Sequence, residues 1–418
     1  MDYISRSART GWWLCIFIML FIFSPVLSTQ ETAQPGALYV IVLVVPIFIM
    51  ALTNRLIRPS AINIYAILLF VFALFSTALS DIGNFRIGAF MKYLMLIVFF
   101  ISTSAIVFTP KQLKFSFQSY LGLSIALSIL IILSYIFGYP HTASEYYQGR
   151  YSIGITGVYK NPNYLTSFYN IAFFVICYIL ATVKLTFNKR IVLYSILALF
   201  IISSFFTGTR AALLVEIMII LAVPMIMAKK GRLYMIIPLA IIIIAVITFY
   251  WTTIIDLYDL FMGSRDLVGD VGRQEAWAQA FKYIKESPIL GCGHNSWYNI
   301  HGTSFLEWLH NVFLELLLDQ GVIGIMLFIG IMVTGFKKTN SSDRAFLLLF
   351  LVFSSIPMFF QNGLYEVHFW RYIIINRLLM NFSESYEGGI SAFLNYAFGS
   401  MPARRRVMEV REAVETAK

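Results

Sequence analysis

Long apolar runs separated by short polar connections dominate the chain. Runs bounded by charged or turn residues fall at Trp12 to Leu27, Ala37 to Thr53, Ala61 to Ser80, Ile87 to Thr109 and Phe117 to Gly138. Others lie at Tyr164 to Leu185, Ile191 to Phe206, Ala211 to Ala228, Leu233 to Trp251, Val322 to Phe336 and Ala345 to Phe360, with a weaker twelfth at Gly363 to Phe382. A bilayer core about 30 Å thick takes roughly 20 apolar residues per spanning helix. The pattern therefore predicts an all-α, polytopic membrane helix bundle of about twelve transmembrane helices with one long helical external loop.

Basic residues recur at every second connection. Arg6 and Arg9 precede the first run, followed by Arg55 and Arg58, Lys111 and Lys114, Lys189 and Arg190, Lys229, Lys230 and Arg232, and Lys337, Lys338 and Arg344; Arg404, Arg405 and Arg406 close the series. Positive charge marks the cytoplasmic side, so both termini are expected inside and the alternate connections outside. A signal-peptide cleavage site could fall at Pro25 to Ala33, but the preceding run is long for one, and cleavage leaves the sidedness unchanged. The expected organisation is 1–251 as helices one to nine with short loops, 252–320 as a large external loop, 321–382 as helices ten to twelve, and 383–418 as a cytoplasmic tail.

The external loop has structure of its own. From Arg273, the side chains of Trp277, Phe281 and Ile284 recur at helical spacing until Pro288, while Gln274, Glu275, Lys282 and Lys285 take other faces. An amphipathic helix is predicted there. After Gly291-Cys292-Gly293 a second helical stretch is expected near Ser304, with Leu306, Leu309, Phe313 and Leu317 on one side and His310, Asn311 and Glu315 around it. Gly321 marks the junction with the next run. Such helices would lie against the outer bilayer face and cover a site at the water boundary.

Of the 418 residues, 59% are hydrophobic and 12% charged, which excludes a soluble globular domain. The net charge of +10 is accounted for by cytoplasmic loops and anionic lipid, so nucleic acid is not expected as a partner. The three cysteines, Cys15, Cys177 and Cys292, stand far apart and suggest neither a disulfide nor a metal site.

A few polar residues stand where charge is costly. Arg210, in Thr207-Gly208-Thr209-Arg210 between two apolar runs, either snorkels to head groups or binds an anion. Arg273 follows Gly272 at the expected helix start; there it could bind an anion together with backbone N–H groups, or pair with Glu275 or Asp270 at the surface. His310 is one of five histidines, with His141, His294, His301 and His368, all in segments expected outside or at the outer boundary. It suits a general base, with Asn311 and Glu307 near enough in sequence to orient it, although a lone His is more often structural. The shorter external loop offers Arg150, Lys160, Asn161 and Asn163, with Asn163 a candidate cap for a helix from Tyr164. Glu366, His368 and Arg371 make the last run polar enough to face the protein interior, where stabilising that interior could be their whole role. Walker, HExxH and GxSxG motifs are absent, and the external loops hold no DxD, which disfavours an ATP-driven pump and a nucleotide-sugar enzyme.

Taken together, Gly154 to Asn163, Thr207-Gly-Thr-Arg210-Ala211, Gly272-Arg273-x-x-x-Trp277 with Ser287-Pro-Ile-Leu-Gly-Cys-Gly293, and His310-Asn311-Val-Phe-Leu-Glu315 followed by Asp319-Gln-Gly-Val-Ile-Gly324 resemble the O-antigen ligase and O-antigen polymerase superfamily. The resemblance implies a GT-C-type inverting glycosyltransferase of the bacterial inner membrane, working at the periplasmic face without a metal or other cofactor. It implies undecaprenyl-pyrophosphate-linked glycan as donor, with Arg210 and Arg273 on the pyrophosphate and His310 as base. Arg150, Lys160, Asn161, Asn163 and Asn311 are the accompanying substrate-binding candidates. The acceptor is a second lipid-linked repeat unit in a polymerase, where a chain-length regulator is an implied partner, and lipid A core in a ligase; the His310-to-Glu315 and Asp319-to-Gly324 pattern and Glu366-x-His368-x-Trp370 incline the reading to polymerase. A lipid-linked oligosaccharide transporter and a membrane scaffold are the readings of other classes. The external clustering of the polar residues counts against a transporter, and a scaffold would tolerate loss of His310 and both arginines.

Overall fold

The computed structural model describes residues 12–22, 37–53, 60–83, 85–104, 106–137, 154–155, 158–159, 162–227, 268–301, 309–334, 339, 341–360, 367–386 and 388–399. Helices occupy every predicted run except Leu233 to Trp251, which lies outside those residues. They are α1 (Trp12–Ile22), α2 (Ala37–Thr53), α3 (Ala61–Leu79), α4 (Ile87–Thr103), α5 (Pro110–Ile136), α6 (Pro162–Thr182), α7 (Phe187–Phe206) and α8 (Arg210–Met227). After these come α9 (Val268–Glu286), α10 (Ser296–His301), α11 (Val312–Val333), α12 (Ser341–Ser355), α13 (Val367–Ser385) and α14 (Gly389–Phe398). A two-residue antiparallel pair, Gly154–Ile155 with Val158–Tyr159, is the strand structure among the described residues.

Among the described residues, five helices are long and apolar enough to cross a membrane: Ala61–Leu79, Pro110–Ile136, Leu165–Thr182, Phe187–Phe206 and Val312–Val333. Shorter apolar helices pack beside them. The α6 segment is 94% buried against 28% for α5 and α7, so α6 is the central helix and the other two wrap it. The outward faces stay apolar, as at Ile64, Ile67, Val71 and Phe75 of α3, which suits a lipid solvent.

Local chemistry sets several boundaries. The α5 helix starts at Pro110, seven residues before the apolar run, because Thr109 and Gln112 form a reciprocal capping box and Pro110 occupies the first turn. The 383–418 stretch, expected as a tail, contains the end of α13 and the whole of α14. Buried Asp343 joins them, its carboxylate accepting from Ser383 Oγ (2.7 Å), the Ile390 amide (2.7 Å), and the Ser391 amide (3.1 Å) and Oγ (3.0 Å).

One end of the bundle gathers the segments of interest. Ser76, near the C-terminus of α3, donates to the carbonyl of Asp319 in α11, while the Tyr65 ring lies against Gly330, so α3 and α11 run antiparallel. Phe328 of α11 stacks on Phe369 at the start of α13 (5.5 Å). Arg371 of α13 reaches Ser167 near the start of α6, and Tyr169 of α6 meets Ser204 just before the α7–α8 turn.

Candidate functional site

The break in α11 organises this end. Gly321 has φ 60 and ψ −162, which interrupts the helix. The segment 288–293 lies alongside the break: Cys292 N donates to Leu318 O (2.7 Å), Gly293 N to Asp319 O (3.0 Å), and Val322 N to Pro288 O (3.0 Å). The approach is too close for side chains, since a Cβ on Gly291 would lie 2.5 Å from the Asp319 carbonyl carbon and one on Gly321 would lie 2.3 Å from the Ile289 oxygen. Two motifs far apart in sequence are therefore one joint. The fully buried Asp319 carboxylate fastens it, accepting from Asn295 N (2.7 Å), Ser296 N (3.0 Å) and Ser296 Oγ at the start of α10. Ser76 and Thr77 of α3, with Ser80 just after it, hold the same segment through Leu290 O, His294 N and Cys292 O.

The α9 helix packs against this joint through Ala276, Ala280 and Ile284, in a cluster with Cys292, Trp297, Leu309, Leu314 and Leu318. The expected face is corrected by one position: Phe281 is 48% exposed and Trp277 partly buried, because the close contact selects the small alanines. The helix does stop before Pro288, as predicted.

His310 precedes α11 instead of riding on a helix begun near Ser304; residues 302–308, with Leu306 and Glu307, lie outside the described residues. Its backbone is left-handed (φ 48), uncommon for a residue with a side chain, and it is half-buried. On one side, Trp277 Nε1 donates to Leu309 O at 2.7 Å. On the other, Asn311 caps α11, its Oδ1 accepting from Phe313 N (3.1 Å) and Leu314 N (3.0 Å). The side-chain oxygen of Asn311 is thus engaged in capping, which leaves the amide nitrogen for any substrate contact.

Arg273 lies in α9 four residues before Trp277, and therefore on the same helix face. The helix begins at Val268, so the free first-turn amides lie before Arg273 and the expected helix-start position is corrected. Arg210 is the first residue of α8, placed there by a turn in which Gly208 has φ 62 and Thr207 Oγ1 bonds Ser204 O (2.7 Å) and Thr209 Oγ1 (3.0 Å). The side chains of Arg210 and Arg273 are not among those described. Asn163 is the second residue of α6, within the helix rather than capping it, since α6 starts at Pro162. Its carbonyl accepts from Thr166 Oγ1 (3.1 Å). Arg150, Lys160, Asn161, His141 and Glu366 lie outside the described residues, as does the side chain of His368.

Four buried polar residues carry more structure than the sequence indicated. Asp319 appeared only as part of a motif. His294 is wholly buried against Phe90 (4.3 Å) and Tyr93 (5.6 Å); burial, opposed by a hydrogen bond with the Ala89 backbone, pushes its pKa down to about 3. Glu216, in the middle of the α8 apolar run, accepts from Ser204 Oγ at 2.6 Å. Arg371 is fully buried in α13. The available signal was the same for Glu216 and Arg371: a charge inside an apolar run needs an interior partner. Among the described residues, no cluster of His, Cys, Asp or Glu could hold a metal ion.

No curated protein matches the chain. Residues 195–329, a third of the chain running from α7 into α11, match the family described as O-antigen ligase. That match spans Arg210, Arg273 and His310, so this third of the chain is similar to the O-antigen ligase family.

Proposed function

We propose that the protein is a metal-independent, inverting membrane glycosyltransferase that joins undecaprenyl-pyrophosphate-linked glycan to an acceptor sugar, as an O-antigen or related surface-polysaccharide polymerase. The observation that carries the reading is the Trp277 to Leu309 hydrogen bond, which fixes the helix bearing Arg273 to the residue next to His310. A superfamily of the glycosyltransferase type supports the reaction class.

In this mechanism the His310 imidazole takes the proton of the acceptor hydroxyl as its oxygen attacks the anomeric carbon. The bond from that carbon to the pyrophosphate oxygen breaks in line, with inversion. Arg210 and Arg273 neutralise the charge gathering on the leaving pyrophosphate. Arg210 sits at a helix N-terminus, where the backbone favours an anion. The donor already stores the energy, so no nucleotide is needed. On the charge pattern, both termini are cytoplasmic and residues 252–320 form the periplasmic cover of the site. Arg150, Lys160, Asn161 and Asn163 would add polar contacts from the other external loop.

Transfer to lipid A core, as a ligase, is the second reading, favoured by the description of the matching family. The test is a lipopolysaccharide gel of a deletion strain complemented with wild type, His310→Ala, Arg210→Ala or Arg273→Ala. A core carrying one repeat unit identifies a polymerase; bare core with accumulated lipid-linked polymer identifies a ligase. Each variant should insert normally and behave as the deletion, and full activity in one removes that residue from the mechanism. A normal ladder in the deletion strain overturns the lipopolysaccharide assignment and directs the assay to other surface polysaccharides.

A further inference from the structure

We propose that Arg371 binds the phosphate of a long-chain polyprenyl phosphate inside the bundle, with the isoprenoid chain lying in the apolar slot that begins one helical turn further along α13. Arg371 is 0% exposed. Its Nη2 donates to Ser167 Oγ (2.8 Å) and to the Tyr372 hydroxyl (3.4 Å), and the guanidinium lies over the rings of Phe168 (5.0 Å) and Tyr372 (4.9 Å). Its Nε has no acceptor, and among the described residues no carboxylate pairs with it. A guanidinium keeps its charge at any physiological pH, and aromatic faces attract that charge without neutralising it. A buried cation of this kind calls for an anion.

The adjoining space says which anion. Ile375 follows Arg371 by one turn of α13, and Ile171 follows Ser167 by one turn of α6; both line an apolar slot with Tyr120, Val175, Leu378 and Phe350. Head and slot share a wall, because the Tyr120 ring stacks on Phe168 at 4.5 Å and its hydroxyl donates to Phe168 O. Free phosphate would lose all its water to reach the guanidinium and gain nothing from an apolar slot. A phosphate carried on a single long hydrocarbon chain satisfies both parts. The choice of an isoprenoid over a diacyl lipid rests on the proposed function.

The experiment measures binding of undecaprenyl phosphate to the purified full-length protein in phosphatidylcholine nanodiscs, by native mass spectrometry and thermal shift. Arg371→Gln should weaken binding at least tenfold, and so should Ile375→Trp, which fills the slot. Glu366→Gln should leave binding unchanged, since the counter-charge is the lipid's. Inorganic phosphate should give no shift, and phosphatidylglycerol should bind at least tenfold more weakly. Binding of Arg371→Gln within twofold of wild type overturns the inference, as does equal binding of phosphatidylglycerol or a shift with inorganic phosphate. If Arg371→Gln does not fold, Ile375→Trp decides alone. His310→Ala should keep lipid binding while losing transfer, so the inference survives failure of the transferase reading, and the reverse.

Discussion

The indole Nε1 of Trp277 donates to the carbonyl oxygen of Leu309 across 2.7 Å. This hydrogen bond adds to the packing of Ala276, Ala280 and Ile284 in tying α9, with Arg273 one turn away, to the residue beside the left-handed His310. Trp277→Phe keeps an aromatic ring and removes the donor, and a bond of this kind contributes about 1 kcal/mol. Transfer by the purified protein should fall roughly fivefold while the melting temperature moves by a few degrees at most, given that about 1.4 kcal/mol is a factor of ten. An unchanged rate would mean that α9 does not govern the position of His310.

Asn311 separates a cap from a substrate contact. Asn311→Ala should cost about 1 kcal/mol of stability, seen as a lower melting temperature. Asn311→Asp retains the acceptor for Phe313 and Leu314 and should keep both stability and transfer near wild type. Loss of transfer in a stable Asn311→Asp protein would assign the amide nitrogen to the substrate.

Gly321→Ala should prevent folding of the α11 joint. The new Cβ would stand 2.3 Å from the Ile289 oxygen at a backbone φ of +60, and a left-handed non-glycine residue alone costs about 1 to 3 kcal/mol. The readout is the yield of monodisperse protein from membranes. Gly122→Ala in α5, where a Cβ meets nothing within 4 Å, is the matched control and should be recovered at wild-type yield.

His294 gives a pH dependence of fixed sign. Its folded pKa of about 3 lies below the ordinary value of 6.5, so between these limits the unfolded chain binds the extra proton. Stability is fully present above pH 6.5 and declines as the pH falls, by about 2 kcal/mol from pH 7 to pH 5. Melting temperatures across that range should drop less in His294→Phe than in wild type. Parallel curves would show that His294 is protonated without cost.

The apolar runs by themselves determined the helices, because about 20 apolar residues bounded by charge have few other solutions in lipid. Proline and glycine were equally legible: Pro288 ends α9 and Gly321 interrupts α11, since both act on the backbone wherever they stand. The motifs were readable as strings, but not what they do to one another. Only the tertiary structure joined Ser287 to Gly293 with Asp319 to Gly324, turned α9 onto Ala276 and Ala280, and engaged Asn311 in capping a helix that begins at Val312. Where both faces of a segment are apolar, periodicity does not reveal which face is buried. The same limit hid the partners of Arg371 and Glu216: sequence shows that a charge lies in an apolar run, while its partners stand 12 residues away for Glu216 and 204 for Arg371, and packing alone selects them.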